Sequence, residues 1–131
     1  MRYYLKKSNN KLTSSNGRYV VKACHDQEVD VDKFAERIQR SCTLTKPDIV
    51  AALCAFSEEM SRCLRNGDKV RLPGLGLFKL ELDCTPVDDP ETFRLADHYR
   101  GVKLHVLPES KDGVKPLYDD LKLTRAHDRE A

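Results

Sequence analysis

No apolar run in this 131-residue chain approaches the roughly 18 residues that a membrane span requires, and no hydrophobic leader core follows Met1. The sequence therefore predicts a soluble, cytoplasmic chain. Cysteine is present but unpatterned. Cys24, Cys42, Cys54, Cys63 and Cys84 form an odd set without C-x-x-C spacing. That argues against a disulfide framework or a zinc site and predicts free thiols in a reducing compartment. His25, His98, His105 and His127 are scattered, so no metal or other cofactor is expected. No serine or cysteine sits on a recognisable nucleophile elbow or beside a patterned base, so neither an enzyme nor a small-molecule substrate is expected. Gly74-Leu75-Gly76 lacks the third glycine, the Lys-Ser/Thr pair and the strand-to-helix setting of a phosphate loop, and predicts a hairpin turn instead.

A large excess of one charge is missing as well. Twenty-three Lys and Arg stand against 21 Asp and Glu, a net charge of +2. The distribution is less even than the total. Arg2, Lys6, Lys7, Lys11, Arg18 and Lys22 fall in the first 23 residues, which contain no acid. A segment of one sign is an electrostatic cue for a polyanion, and equally a way to keep a surface hairpin soluble. The length fits one domain with a modest core.

What is present is clearest between Thr45 and Leu82. Thr45 can accept an orphaned N–H of a first helical turn, Asp48 stands at the reciprocal capping position, and Pro47 lies where its missing N–H is not needed. Ile49, Val50, Leu53, Phe56, Met60 and Leu64 then recur at helical spacing, with Ser57, Glu58, Ser61, Arg62 and Arg65 on the other side. Asn66-Gly67 supplies the stop, since glycine takes the left-handed conformation without steric cost. Beyond it the period becomes two: Val70 and Leu72 alternate with Lys69 and Arg71, and Phe78, Leu80 and Leu82 with Lys79, Glu81 and Asp83. This predicts two strands with one apolar and one charged face.

The run Gly67-Asp68-Lys69-Val70-Arg71-Leu72-Pro73-Gly74-Leu75-Gly76-Leu77-Phe78 resembles the signature of the HU and integration-host-factor group of bacterial histone-like DNA-binding proteins, with Leu75 where a Phe is usual. The resemblance extends over roughly residues 29 to 108. It implies an α+β fold in which two helices pack on a three-stranded antiparallel sheet with a protruding β-arm, assembled as an intertwined homodimer. It also implies a nucleoid-associated protein that binds, bends or condenses double-stranded DNA. The long apolar stripe of the second helix points to the dimer independently, because one helix pair on a small sheet leaves it partly uncovered.

The remaining elements are placed around that core. Residues 1–27 read as an added N-terminal β-hairpin, with Tyr3-Tyr4-Leu5 and Arg18-Tyr19-Val20-Val21 as strands about an Asn16-Gly17 turn. Such a hairpin resembles the longer, Bacteroidetes-type members of the group. Its Tyr3, Tyr4 and Tyr19 fit cross-strand packing better than base stacking. Residues 28–123 form the HU-like domain. Its first helix spans Glu28 to Ser41, capped by Asp30 or Asp32, and its third strand contains Val102, Leu104 and Val106. Leu107-Pro108 and Gly113 match a further family pattern, with Ser110 where a Phe is usual. Pro116 to Leu121 fits a short helix or an extended tail, and residues 124–131 read as frayed.

By strand parity the face opposite the helices presents Lys69, Arg71, Lys79, Lys103 and His105, diluted by Glu81 and Asp83. The resemblance makes that face the DNA saddle, where cations would neutralise phosphates with little base reading. Residues 83–101 form the arm, with Arg94 and Arg100 as its cations. The family arm wedges a proline between bases. Here the candidate is Pro90, within Asp89-Pro90-Glu91-Thr92, and an ordinary turn proline is the simpler reading. Its acidic neighbours repel phosphate. The competing function is therefore a structural or protein-interaction module on the same fold that has weakened or lost DNA binding.

Overall fold

The computed structural model describes residues 1–12, 14, 16–109 and 114–126. It contains two compact units. One is Val31–Leu117; the other joins Met1–Asp30 to the stretch that begins at Tyr118.

The larger unit starts with helix α1 (Val31–Gln39) and helix α2 (Lys46–Arg65). α2 has the ends its sequence dictates. The Thr45 hydroxyl accepts from the Asp48 N–H, and the Asp48 carboxylate accepts from the Thr45 N–H, so both halves of the capping box form. At the other end the Gly67 N–H donates to the Leu64 carbonyl and the Asp68 N–H to that of Cys63, both at 3.1 Å. With Gly67 at a φ of 90°, this is a Schellman stop. α1 packs on α2, and α2 lies against the first two strands of the sheet. Ala35 is fully buried, Ile49 and Leu64 nearly so. α1 is shorter at both ends than the expected span from Glu28 to Ser41.

Strands β3 (Val70–Leu72), β4 (Gly76–Cys84) and β5 (Tyr99–Leu107) form an antiparallel sheet in that order. Val70 pairs with Phe78 and Phe78 with Val106; Leu80 pairs with Leu104 and Leu82 with Val102. Partners in register share a face, so these apolar residues lie together, as their alternation predicts. Only the end near β3 is well covered. Val70, Leu72 and Phe78 are half-buried, but Leu82 is 71% and Leu104 56% exposed.

The expected protruding β-arm does not form as a ribbon. The β4–β5 ladder ends in a bulge at Asp83/Cys84, where Cys84 pairs with Tyr99. The intervening chain folds into a 3₁₀ turn (Pro90–Thr92) and a single helical turn, α3 (Leu95–His98). The cause is local. The Asp89 carboxylate caps the 3₁₀ turn by accepting from the Glu91 N–H at 3.0 Å, with Pro90 pre-set in the first position. Nδ1 of His98 lies 2.9 Å from the Arg94 N–H, and the His98 ring stacks on Phe93 with centroids 5.4 Å apart. These contacts satisfy the backbone inside the loop and remove the need for cross-strand pairing.

In the smaller unit, β1 (Arg2–Lys7) pairs antiparallel with β2 (Tyr19–Ala23). A third strand, β6 (Thr124–Arg125), adds parallel to the other edge of β1, where the sequence reads as frayed. The Thr124 N–H donates to the Met1 carbonyl and the Ala126 N–H to that of Tyr3, which satisfies an edge a hairpin would leave open. Residues 127–131 of the expected frayed tail lie outside the described residues, as do Ser110 and Gly113 of the family pattern. The stretch from Pro116 to Leu121 forms a turn over 117–120 rather than a helix.

Gly76 is buried with a φ of 118°, and a Cβ there would sit 2.1 Å from the Leu107 carbonyl oxygen. Gly67 is also left-handed, but a Cβ would meet nothing within 4 Å. Gly67→Ala is expected to cost about 1–2 kcal/mol, the left-handed penalty alone. Gly76→Ala adds a backbone clash and is expected to cost ~3 kcal/mol or more. Thermal or urea unfolding of the two variants side by side checks this order.

Candidate nucleic-acid interface

The register that gathers the apolar residues on one face puts the charged ones on the other. Arg71 pairs with Leu77 and Leu77 with Leu107; Lys79 pairs with His105, Glu81 with Lys103, and Asp83 with Gly101. Arg71, Lys79, Lys103 and His105 are therefore brought together, with Arg100 at the arm end of β5. Lys69 precedes Arg71 by two residues and is exposed. Arg94 and Pro90 lie apart from this group, in the folded loop, both exposed. Pro90 opens the 3₁₀ turn.

Most of the strand cations hold a carboxylate. Glu81 is the first hub: its Oε1 lies 3.0 Å from Lys79 Nζ, and its Oε2 lies 3.6 Å from His105 Nδ1. The Lys79 hydrogen bond and the nearby His105 hold the Glu81 carboxyl below the ordinary glutamate range, against a smaller effect of desolvation. Asp83 is the second hub, with Arg100 Nη2 at 3.1 Å and Lys103 Nζ at 3.7 Å. The third pair is different in kind. Arg71 Nη1 donates to Glu109 Oε1 at 2.9 Å, and the Glu109 side chain is only 3% exposed. Sequence parity finds the two hubs, since Glu81 and Asp83 share the parity, and so the face, of Lys79. It does not find Glu109, which follows Pro108 in a segment without strand period; nothing local in the sequence marks it as buried.

This arrangement is a lattice of exposed ion pairs rather than a bare positive saddle. Solvent-exposed pairs hold their partners weakly, so phosphate oxygens can take the place of Glu81 and Asp83 around Lys79, Lys103 and Arg100. The face thus supports anion exchange at the cations, with strong dependence on salt. Among the described residues no cluster of three His, Cys, Asp or Glu could hold a metal, and no helix is long and apolar enough to cross a membrane.

The family model HU-HIG, described as an HU domain fused to wHTH, Ig, or glycine-rich motif, matches residues 1–114. The chain belongs to the HU-HIG family. The matched residues include the N-terminal hairpin as well as the helices and the β3–β5 sheet. No curated protein matches the chain. Among solved structures it is similar to a protein from Bacteroides vulgatus ATCC 8482, provisionally described as a bacterial DNA-binding protein. The TM-score is 0.66 at 12% identity over 99% of this chain, a likeness of fold. The chain spans 50% of the length of that structure.

Within this HU-HIG sheet the ion pairs are expected to differ in their effect on stability. Arg71→Gln takes the guanidinium from a buried carboxylate and is expected to lower the melting temperature by several degrees. Lys103→Gln leaves Asp83 with Arg100 and is expected to stay within about 0.5 kcal/mol of the parent. Thermal unfolding of both variants at neutral pH gives the comparison.

Proposed function

We propose that this chain is an architectural protein of the bacterial nucleoid that holds double-stranded DNA against the outer face of β3, β4 and β5. It binds with little sequence preference and acts as an intertwined homodimer. One observation carries the reading: the strand register places Arg71, Lys79, Lys103 and His105 on a single face, opposite the apolar one, and Arg100 reaches that face from the bulge through Asp83. Cations spread over a sheet contact phosphates without reading base edges, which fits binding by backbone rather than by sequence. Membership of the HU-HIG family and the provisional DNA-binding description of the B. vulgatus protein support the same reading.

The dimer follows from the other face. Leu80, Leu82, Val102, Leu104 and Val106 are exposed side by side on β4 and β5, and Phe56 of α2 is 44% exposed. A contiguous apolar surface of this kind needs a partner, and a second copy supplies a matching one. Sedimentation is expected to give twice the 15.0 kDa of one chain. Leu104→Glu, which puts a charge into the apolar face, is expected to shift the population to monomer.

The carboxylate hubs weaken the grip that bare cations would have. Fluorescence anisotropy with random-sequence duplex is expected to show binding at low salt that falls steeply between about 50 and 200 mM. Replacing the hubs, Glu81→Gln with Asp83→Asn, frees their cations and is expected to tighten binding at least several-fold. Absence of wild-type binding at micromolar protein and low salt would contradict the DNA reading. It would favour the second reading, an interaction module on the same fold. That reading draws on the same paired cations and on Asp88, Asp89, Glu91 and Asp97 in the loop between β4 and β5.

A further inference from the structure

The cations of the N-terminal unit stand in a different state from those of the β3–β5 sheet. Arg2 is tied to Asp26 at the open end of the β1–β2 hairpin. Toward the turn end the charge is uncompensated: among the described residues, no carboxylate lies within ion-pairing distance of Lys6, Lys7 or Lys22. All three are exposed. They line one open depression together with Ser8, Asn9 and Asn10.

The register explains why they converge. Tyr4 pairs with Lys22 and Lys6 with Val20, so Lys6 and Lys22 are diagonal neighbours on one face, about 7–8 Å apart between Cα atoms. Lys7 is the last residue of β1 and reaches the depression at its end. The loop beyond is held by its own polar groups. The Asn10 N–H donates to Ser8 Oγ at 3.4 Å and the Leu12 N–H to Asn10 Oδ1 at 3.1 Å, while the Ser8 N–H continues the ladder to the Arg18 carbonyl at 2.8 Å. Like charges gathered without a counter-charge repel one another in the free chain, and a polyanion relieves that repulsion.

We infer that this depression is a second, independent contact for the phosphate backbone of duplex DNA, with Lys6, Lys7 and Lys22 as its cations. It rests on the DNA-binding reading above and adds to it a site on a different unit of the chain. The physical contrast decides its weight. Phosphates must displace Glu81 and Asp83 to reach Lys79, Lys103 and Arg100, whereas the hairpin lysines have no such competitor among the described residues. The hairpin therefore contributes a large share of the affinity, and the sheet face a smaller one than its number of cations suggests. Lysines present point charges on flexible stems, so the contact positions DNA without reading its sequence.

The test uses the full chain in three forms: wild type, Lys6→Gln/Lys7→Gln/Lys22→Gln, and Lys79→Gln/Lys103→Gln. Each is titrated with random-sequence duplex at several salt concentrations, and far-UV circular dichroism verifies that each is folded. The hairpin variant is expected to lose about tenfold or more in affinity, and its log–log salt slope to become shallower by roughly 2 to 3, near 0.9 for each lost phosphate contact. If it binds like wild type while the sheet variant is impaired, the second contact is overturned and the DNA reading stands. If wild type itself does not bind, both fall together. Anionic lipid vesicles form the last arm. Loss of vesicle binding in the hairpin variant with duplex binding unchanged would assign these lysines to a membrane surface and overturn the inference.

Discussion

The close approach of Gly76 to the Leu107 carbonyl fixes the register on which the larger unit depends. Only a residue without a Cβ fits there, so β4 can start in one place relative to β5. A slip of one residue would turn every side chain of a strand to the opposite face. With the register held, Phe78, Leu80 and Leu82 lie beside Val106, Leu104 and Val102, and Lys79, Glu81 and Asp83 face the other way. Both the exposed apolar face and the charged face, on which the proposed dimer and the proposed DNA contact rest, follow from that one alignment.

The two surfaces differ in how completely the single chain satisfies them. The apolar one is left largely uncovered, since α2 reaches β3 and β4 but Leu82, Val102 and Leu104 stay exposed. The charged one is nearly self-sufficient, with Glu81 and Asp83 each serving two cations and Glu109 serving Arg71. A sheet face that carries its own counter-charges keeps weak, replaceable ion pairs until a stronger anion arrives. On this account the resting face is close to neutral, and its affinity is set by competition between carboxylate and phosphate. The N-terminal hairpin is proposed to complement it, because among the described residues its Lys6, Lys7 and Lys22 hold no carboxylate.

Much of this was legible in the sequence, for reasons that can be stated residue by residue. Thr45, Asp48 and Gly67 fix the ends of α2 through local backbone bonds, and local rules read such bonds well. The period-two runs fix the faces of β3, β4 and β5. The HU resemblance extended those local readings to a fold, and the HU-HIG match agrees with it. The misses share a cause: they depend on partners distant in sequence or on several weak local bonds acting together. Thr124 and Arg125 carry little strand signal of their own and pair only because β1 offers a free edge. Glu109 is buried by the sheet end it follows. The loop between β4 and β5 folds on itself through Asp89, Phe93 and His98, and no periodic pattern announces that.

The proposed DNA contact requires cations on the β3–β5 face to exchange carboxylates for phosphates. Lysine acetylation footprinting with and without random-sequence duplex, read by mass spectrometry at low salt, tests it most directly. Lys79 and Lys103 are expected to be protected by DNA, while Lys33 on α1 reacts equally in both conditions. Equal reactivity of Lys79 and Lys103 with and without bound duplex would contradict it.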